Sequence, residues 1–374
     1  MKIPFHKPHI TQNEIDSVIE TMQSGWLTMG PKTIEFENAF RAYIDSQFAI
    51  SVNSATAALH LALNAVGVGI GDEVIIPTNT FIATAEAVVY SGAKPILCDV
   101  EENYHNIDIN LIEQLISPRT KAIIPVHFGG HPCEIEEILR IAKQYNLKVI
   151  EDAAHALPSF YNNKKIGTFS DAVCFSFYAT KTLSTGEGGM VTTNNKKVAK
   201  KVGIQRLHGI NGDAWKRYER DNDWYYEVID LGYKYNTTDI QSAIGLVQLE
   251  KLEWMRDERK MIAEKYKNAF AGKLNFINED NNNESSWHLF VIKIGNRDEL
   301  HQKLKENGVS TSVHFIPIHK HPYYKMRFNY KNKDYPVANN VYKHSLSLPI
   351  YPGLTNKEVS YIIEHVLLNA DSMN

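Results

Sequence analysis

Cysteine is scarce: Cys98, Cys133 and Cys174 are the only three in 374 residues, far apart and in apolar or helical surroundings. That spacing forms neither a disulfide framework nor a zinc site, so no metal is expected and a reducing, cytoplasmic setting is. No run of about 20 apolar residues occurs, and the opening MKIPFHKPHI has no signal-peptide core, so a membrane is not an expected partner. Excess charge is missing too. The net charge is -3, which leaves no electrostatic footprint for nucleic acid. The first strand-to-helix turn reads NSATAA where a dinucleotide-binding turn would read G-x-G-x-x-G. Gly186 to Gly189 does not supply that motif, because a strand-like run follows it. A nicotinamide oxidoreductase is therefore disfavoured.

What is present is ordinary for a globular protein, with 43% hydrophobic and 22% charged residues. The length exceeds one typical domain of roughly 100–200 residues, and we expect a large domain over 1–250 and a small one over 251–374. Thr11 and Glu14 form a capping box that opens a helix stopping at Gly25. From FAISV (48–52) to KVIED (148–152), apolar strands alternate with helical stretches. Several strands are continuous apolar runs, which predicts an α/β fold with a mainly parallel sheet flanked by helices on both faces. One long helical pattern is expected from Asp239 to about Phe270. After it, strands WHLFVIKI (287–294) and VSTSVHF (309–315) with two helices predict a small C-terminal α+β domain. Residues 207–235 read as a long irregular aromatic segment, of the kind that serves function or is covered by a partner.

The chemistry concentrates between Val149 and Val191. Asp152 ends one apolar strand, and Lys181 follows the run Ala172 to Phe177 by four residues. On neighbouring strand ends the two would share the crevice where open α/β sheets bind ligands. Burial favours the free amine of such a lysine, and an Asp–Lys pair is the arrangement of pyridoxal phosphate (PLP) enzymes. Ser54, Ala55 and Thr56 open a helix after FAISV, a cradle suited to a phosphate, and Ser176 offers a further hydroxyl. Phe81 at another strand-to-helix junction suits stacking on a flat ring, and His155 lies three residues beyond Asp152. Plainer roles exist for each: a surface lysine, a capping serine, a core phenylalanine.

The succession NSATAALH, PTNTFIATA, VIEDAAHA, FSFYATKTLSTGEGG and GYKYNTTDIQSAIGLVQL resembles the DegT/StrS family of sugar-nucleotide aminotransferases. The likeness runs in order from SGWLTMGPKT to SVHFIPIH and SLSLPIYPGLT. It implies an aspartate aminotransferase-like fold of type I with PLP as cofactor. Lys181 would form the imine and shuttle the proton, and Asp152 would pair with the pyridine nitrogen. His155 would lie beside the 3-hydroxyl, Phe81 would stack on the ring, and Ser54, Ala55, Thr56 and Ser176 would hold the phosphate. Asn236 would reach the phosphate of the other subunit, making a homodimer with shared active sites. Trp26, Thr28 and His319 would touch substrate. The reaction implied moves nitrogen from L-glutamate to a nucleotide-diphosphate keto-sugar, most simply a 4-keto-6-deoxyhexose, in amino-sugar synthesis for surface glycans. Relatives that act on 3-keto sugars share these motifs. Those that remove a hydroxyl carry histidine in place of the lysine. A non-catalytic PLP-binding regulator would have lost Lys181 or gained a DNA-binding segment.

Overall fold

The structure, a computed structural model, describes residues 1–211, 225–279 and 282–371. Trp215, Tyr218 and Trp224 of the aromatic segment lie outside the described residues. Helix α1 (Gln12–Gln23) begins as the capping box requires: the Glu14 carboxylate accepts the Thr11 N–H at 2.8 Å. It ends at Gly25, whose φ of 77° suits a residue without Cβ. Helix α2 (Pro31–Ile44) then leads into the alternating part of the chain. There β1 (Phe48–Val52), α3 (Ala55–Val66), β2 (Glu73–Pro77), α4 (Ile82–Tyr90), β3 (Lys94–Cys98) and α5 (Ile109–Leu115) follow one another. Next come β4 (Thr120–Ile123), α6 (Ile135–Gln144) and β5 (Lys148–Asp152). The short β6 (Phe160–Tyr161) and β7 (Lys164–Lys165) precede β8 (Ala172–Ser176), β9 (Gly189–Thr193) and α7 (Lys196–Gln205).

Seven strands form one sheet in the order β1-β9-β8-β5-β4-β2-β3. Only β9 runs antiparallel to its neighbours, and the other pairs are parallel. Successive strand residues face opposite sides, so each strand feeds two cores. Val74, Ile76, Ile150 and Cys174 pack with α3 and α4 on one face. Ile75, Val149, Val173 and Phe175 pack with α2 and α6 on the other. Burial on both faces explains the continuous apolar strands, since each buried side chain of this size contributes about 1.5–3 kcal/mol.

The expected single helix from Asp239 is two helices, α8 (Asp239–Glu250) and α9 (Leu252–Phe270). Lys251 leaves the helical region (φ -106°, ψ 10°), and its Nζ donates to the His9 carbonyl at 3.0 Å. Helix α9 serves two cores: Leu252 and Met255 belong to the large sheet's, Ile262, Tyr266 and Phe270 to a second. That second core covers a three-stranded sheet, β10 (Asn275–Phe276), β12 (Phe290–Lys293) and β13 (Ser345–Leu348), ordered β10-β12-β13. Helices α10 (Arg297–Glu306) and α13 (Asn356–Asn369) complete this part, while α11 (Pro322–Phe328) and α12 (Pro336–His344) pack through Tyr324, Ala338 and Val341 into the large sheet's first core. Ile3, at the other end of the chain, also packs into the small sheet's core. Strand β11 (Asn283–Glu284) pairs with β6, joining the two parts by backbone.

The stretch 309–315, expected as a strand, makes only two isolated bridges, Ile3 with Val309 and Ser312 with Ser347. Its place beside β12 is taken by β13, an SLSL run too short and polar to read as a strand. Among the described residues no helix is long and apolar enough to cross a membrane, and no cluster of His, Cys, Asp or Glu is arranged to hold a metal.

Candidate active site

Asp152 is the last residue of β5, and Lys181 sits in the turn after β8, the strand paired with β5. Adjacent parallel strands thus deliver both to the C-terminal edge of the sheet. The Asp152 carboxylate is buried, with Oδ2 accepting from Thr84 Oγ1 at 2.8 Å and Oδ1 from the Ala154 N–H at 3.1 Å. Burial raises its pKa, while these donors and the Lys181 charge oppose the rise. Burial also lowers the Lys181 amine to about 8; Asp152 resists this and the Arg259 guanidinium reinforces it. The amine is therefore freed at a lower pH than that of an ordinary lysine, and imine chemistry needs the free amine.

Ser54 caps α3, its Oγ accepting the Ala57 N–H at 3.1 Å, so the plainer role holds as well. Capping leaves Ala55 and Thr56, which line the cavity at the positive end of the helix. Gly189 lets β9 pack closely on the start of this helix: a Cβ there would lie 2.6 Å from the Ser54 carbonyl carbon and 2.8 Å from the Ala55 nitrogen. Ser176, at the end of β8, accepts the Tyr178 N–H at 3.3 Å and lines the same cavity. Hydroxyls and helix N–H groups make a donor set that fits a phosphate.

The cavity of about 600 Å³ joins these parts. Phe81 lines it 55% exposed, its ring 5.8 Å from that of Phe315. His155 lines it from a turn, not a helix. Its Nδ1 accepts the Gly129 N–H at 3.2 Å, which leaves the hydrogen on Nε2. Burial holds this imidazole neutral.

The site also gathers residues that the sequence did not point to. Thr84 is one helical turn beyond Phe81 in PTNTFIATA, and only the fold brings it to Asp152. Phe5 and His6 come from the first residues, and His288, His314 and Phe315 from the small domain. The SVHFIPIH stretch pointed to this last group, but at the wrong end of it. His319 is buried away from the cavity, Nδ1 at 2.8 Å from Thr78 Oγ1 and Nε2 at 3.1 Å from Asn339 Oδ1. Its ring also stacks on Tyr335, centroids 4.5 Å apart. Both His319 nitrogens are engaged by the protein, and the residue does not line this cavity. His127, with Nε2 at 2.9 Å from Glu151, is likewise buried behind the sheet.

Trp26, Thr28 and Asn236 do not line their own chain's cavity. They form a separate group, tied by Asp239 at the head of α8. Its Oδ1 accepts from the Gly30 N–H at 2.8 Å and the Thr33 hydroxyl at 2.6 Å, and its Oδ2 from the Lys32 N–H at 3.0 Å. One carboxylate thus caps α2 and fixes the Trp26 loop against the Asn236 loop. Asn236 donates to the Thr237 carbonyl at 2.9 Å, while its Oδ1 is buried without a hydrogen-bond partner.

A mostly parallel sheet with one antiparallel strand, and a buried acid–amine pair at its edge, define an enzyme of the aspartate aminotransferase-like fold. The chain belongs to the DegT/DnrJ/EryC1/StrS aminotransferase family, whose profile matches residues 8–367. It is 46% identical over 375 residues to the spore coat polysaccharide biosynthesis protein SpsC of Bacillus subtilis, covering 97% of this chain and 96% of that one. The structure superposes on the PMP-form of Spr1654 from Streptococcus pneumoniae with a TM-score of 0.93, 33% identity and 98% of both chains covered. Helicobacter pylori PseC, an aminotransferase involved in the biosynthesis of pseudoaminic acid, matches at TM-score 0.92 and 30% identity, over 98% of this chain and 99% of that one.

Proposed function

We propose that this aminotransferase moves an amino group from L-glutamate to a nucleotide-diphosphate-linked keto-sugar, a 4-keto-6-deoxyhexose, in making an amino sugar for surface glycans. The observation that carries the reading is the single cavity holding a buried, hydrogen-bonded carboxylate, a depressed lysine amine and a phosphate-sized cradle. Those residues fit PLP: Ser54, Ala55, Thr56 and Ser176 for its phosphate, Phe81 for its ring face, Asp152 for its ring nitrogen, His155 beside its hydroxyl, Lys181 for its aldehyde carbon. Bound there, the cofactor supplies a carbonyl that accepts an amine and a ring that delocalises an electron pair.

The chain's own residues do the rest. Lys181 Nζ, neutral above about pH 8, takes the proton from the donor's α-carbon and would pass it to the carbon it had itself held; with the keto-sugar it moves a proton in the reverse direction. Thr84 and Ala154 hold Asp152 in one orientation. Phe5, Phe81 and Phe315 exclude water from one wall. Lys181 also favours transamination over the dehydratase alternative. The 3-keto alternative differs only in which carbon the sugar presents.

Two features support a homodimer with shared sites. The buried Asn236 Oδ1 has no hydrogen-bond partner in its own chain, and Tyr225, Val228, Ile229 and Leu231 nearby are 54–74% exposed. The SpsC and PseC likenesses support a role in glycan synthesis, within the cytoplasm where activated sugars are made.

The test is to incubate the PLP-loaded enzyme with L-glutamate and UDP-, dTDP- or GDP-linked 4-keto-6-deoxyhexoses, following 4-amino sugar by mass spectrometry. Appearance of the amine supports the reading. Amination only of 3-keto substrates, or loss of a hydroxyl without nitrogen gain, selects the corresponding alternative.

A further inference from the structure

A second cavity, of about 370 Å³, lies between the two parts of the molecule and shares no lining residue with the first. The small sheet builds its floor. Asn275 pairs in register with Lys293, and Lys293 with Ser345, so three polar side chains stand in a row across β10, β12 and β13. Residues 102–104 of the large domain form the facing wall, and Asn340 and His344 of α12 form one end.

This lining is chemically selective. Ser345 is only 2% exposed, and its Oγ is buried beneath this floor. Asn103, Asn275 and Asn340 also line the space, each amide offering both donors and an acceptor. Tyr104 and Phe276 add aromatic surface, Phe276 being half-buried against Phe290 with ring centroids 5.7 Å apart. Charge is nearly balanced: the Lys293 amine is tied to the Glu102 carbonyl, and the Glu102 carboxylate stands on the same wall.

We propose that this interdomain cleft is a second binding site, for a neutral hydroxyl-rich ligand of the size of a sugar ring. Vicinal hydroxyls, each donor and acceptor, match the amides of Asn103, Asn275 and Asn340. The apolar face of a pyranose matches Tyr104 and Phe276. A phosphate does not match, because the one ammonium group is already engaged and a carboxylate shares its wall. The volume falls in the range of about 300–1,000 Å³ usual for small-ligand sites. The site also touches the catalytic cavity indirectly: Tyr104 packs on the cluster of Phe128, Ile277, Leu289 and Val291, against which Phe5 and Phe315 also pack. A sugar seated here would bridge the two domains beside the catalytic wall, as a product or growing glycan would if it regulated its own synthesis.

The experiment is saturation-transfer NMR on the full PLP-loaded chain, with methyl α-glucopyranoside and N-acetylglucosamine as probes and inorganic phosphate in parallel. We expect saturable binding of at least one sugar, weakened tenfold or more in the Asn275→Ala/Asn340→Ala double variant. Both residues are exposed on the cleft's rim, so the fold and the reaction with glutamate should be unchanged. Lys181→Ala protein should bind the probe as the wild type does, which separates this site from the proposed catalysis. Three results overturn the proposal: no saturable binding of either sugar, binding unaffected by the double variant, or phosphate bound in preference to both sugars.

Discussion

Thr84→Val tests the reading of Asp152 without touching the carboxylate itself. The substitution keeps the side-chain volume and removes the hydroxyl that donates to Asp152 Oδ2 at 2.8 Å. A hydrogen bond to a charged group contributes about 1.5–3 kcal/mol, and about 1.4 kcal/mol is tenfold. If the whole effect falls on the anion, glutamate-driven turnover should drop on the order of 10- to 100-fold. The sign of the pH effect follows from the same bond. Burial raises the Asp152 pKa and Thr84 opposes that rise, so removing the donor raises it further. The anion is then lost at higher pH, and the acid limb of the rate–pH profile should move upward. The assay is the glutamate half-reaction by stopped-flow absorbance across pH, with Thr84→Ser as the control that restores the donor. A Thr84→Val enzyme with the wild-type rate and profile would refute the reasoning, as would a Thr84→Ser enzyme equally impaired.

Three further predictions follow from the same geometry. In cofactor-free protein, amine-directed labelling of Lys181 should reach half its maximum rate near pH 8, against about 10.4 for an ordinary lysine; Lys181→Ala should lose both the label and all turnover while keeping its melting temperature. His319→Ala, which breaks bonds to Thr78 and Asn339, should lower stability by about 1–3 kcal/mol in urea unfolding and leave the KM for nucleotide sugar unchanged; a raised KM at unchanged stability would restore His319 to the substrate. Mixed dimers of Asn236→Ala and Lys181→Ala chains should recover activity that neither parent has, and mixtures as inactive as the parents would count against sharing.

Where the sequence was legible, local chemistry and global fold agreed. The strands from FAISV to KVIED are continuous apolar runs because both faces are covered, and two of the helices between them start at capping residues, α3 at Ser54 and α5 at Asp108. Lys181 and Asp152 could be read because polar residues at the ends of apolar strands have few structural uses. Other features depend on contacts that no window of sequence contains. The break at Lys251 is set by His9 and Glu14, some 240 positions earlier. Thr84 reveals its role only once α4 packs beside β5. Of two histidines in SVHFIPIH, five residues apart, His314 reaches the cavity and His319 is buried by Tyr335 and α12. Their residue type is the same, and only tertiary packing tells them apart. The cleft floored by Asn275, Lys293 and Ser345 was invisible for the same reason, since its residues are 18 and 52 positions apart and meet only by strand register.

The most direct test of the central claim is an absorbance spectrum of the PLP-reconstituted protein before and after L-glutamate. A band near the visible edge is expected that is absent from Lys181→Ala protein and that glutamate bleaches to a shorter wavelength. A reconstituted wild-type protein with no such band would contradict the role given to Lys181. A band that glutamate leaves unchanged would leave the cofactor site standing and overturn glutamate as the donor.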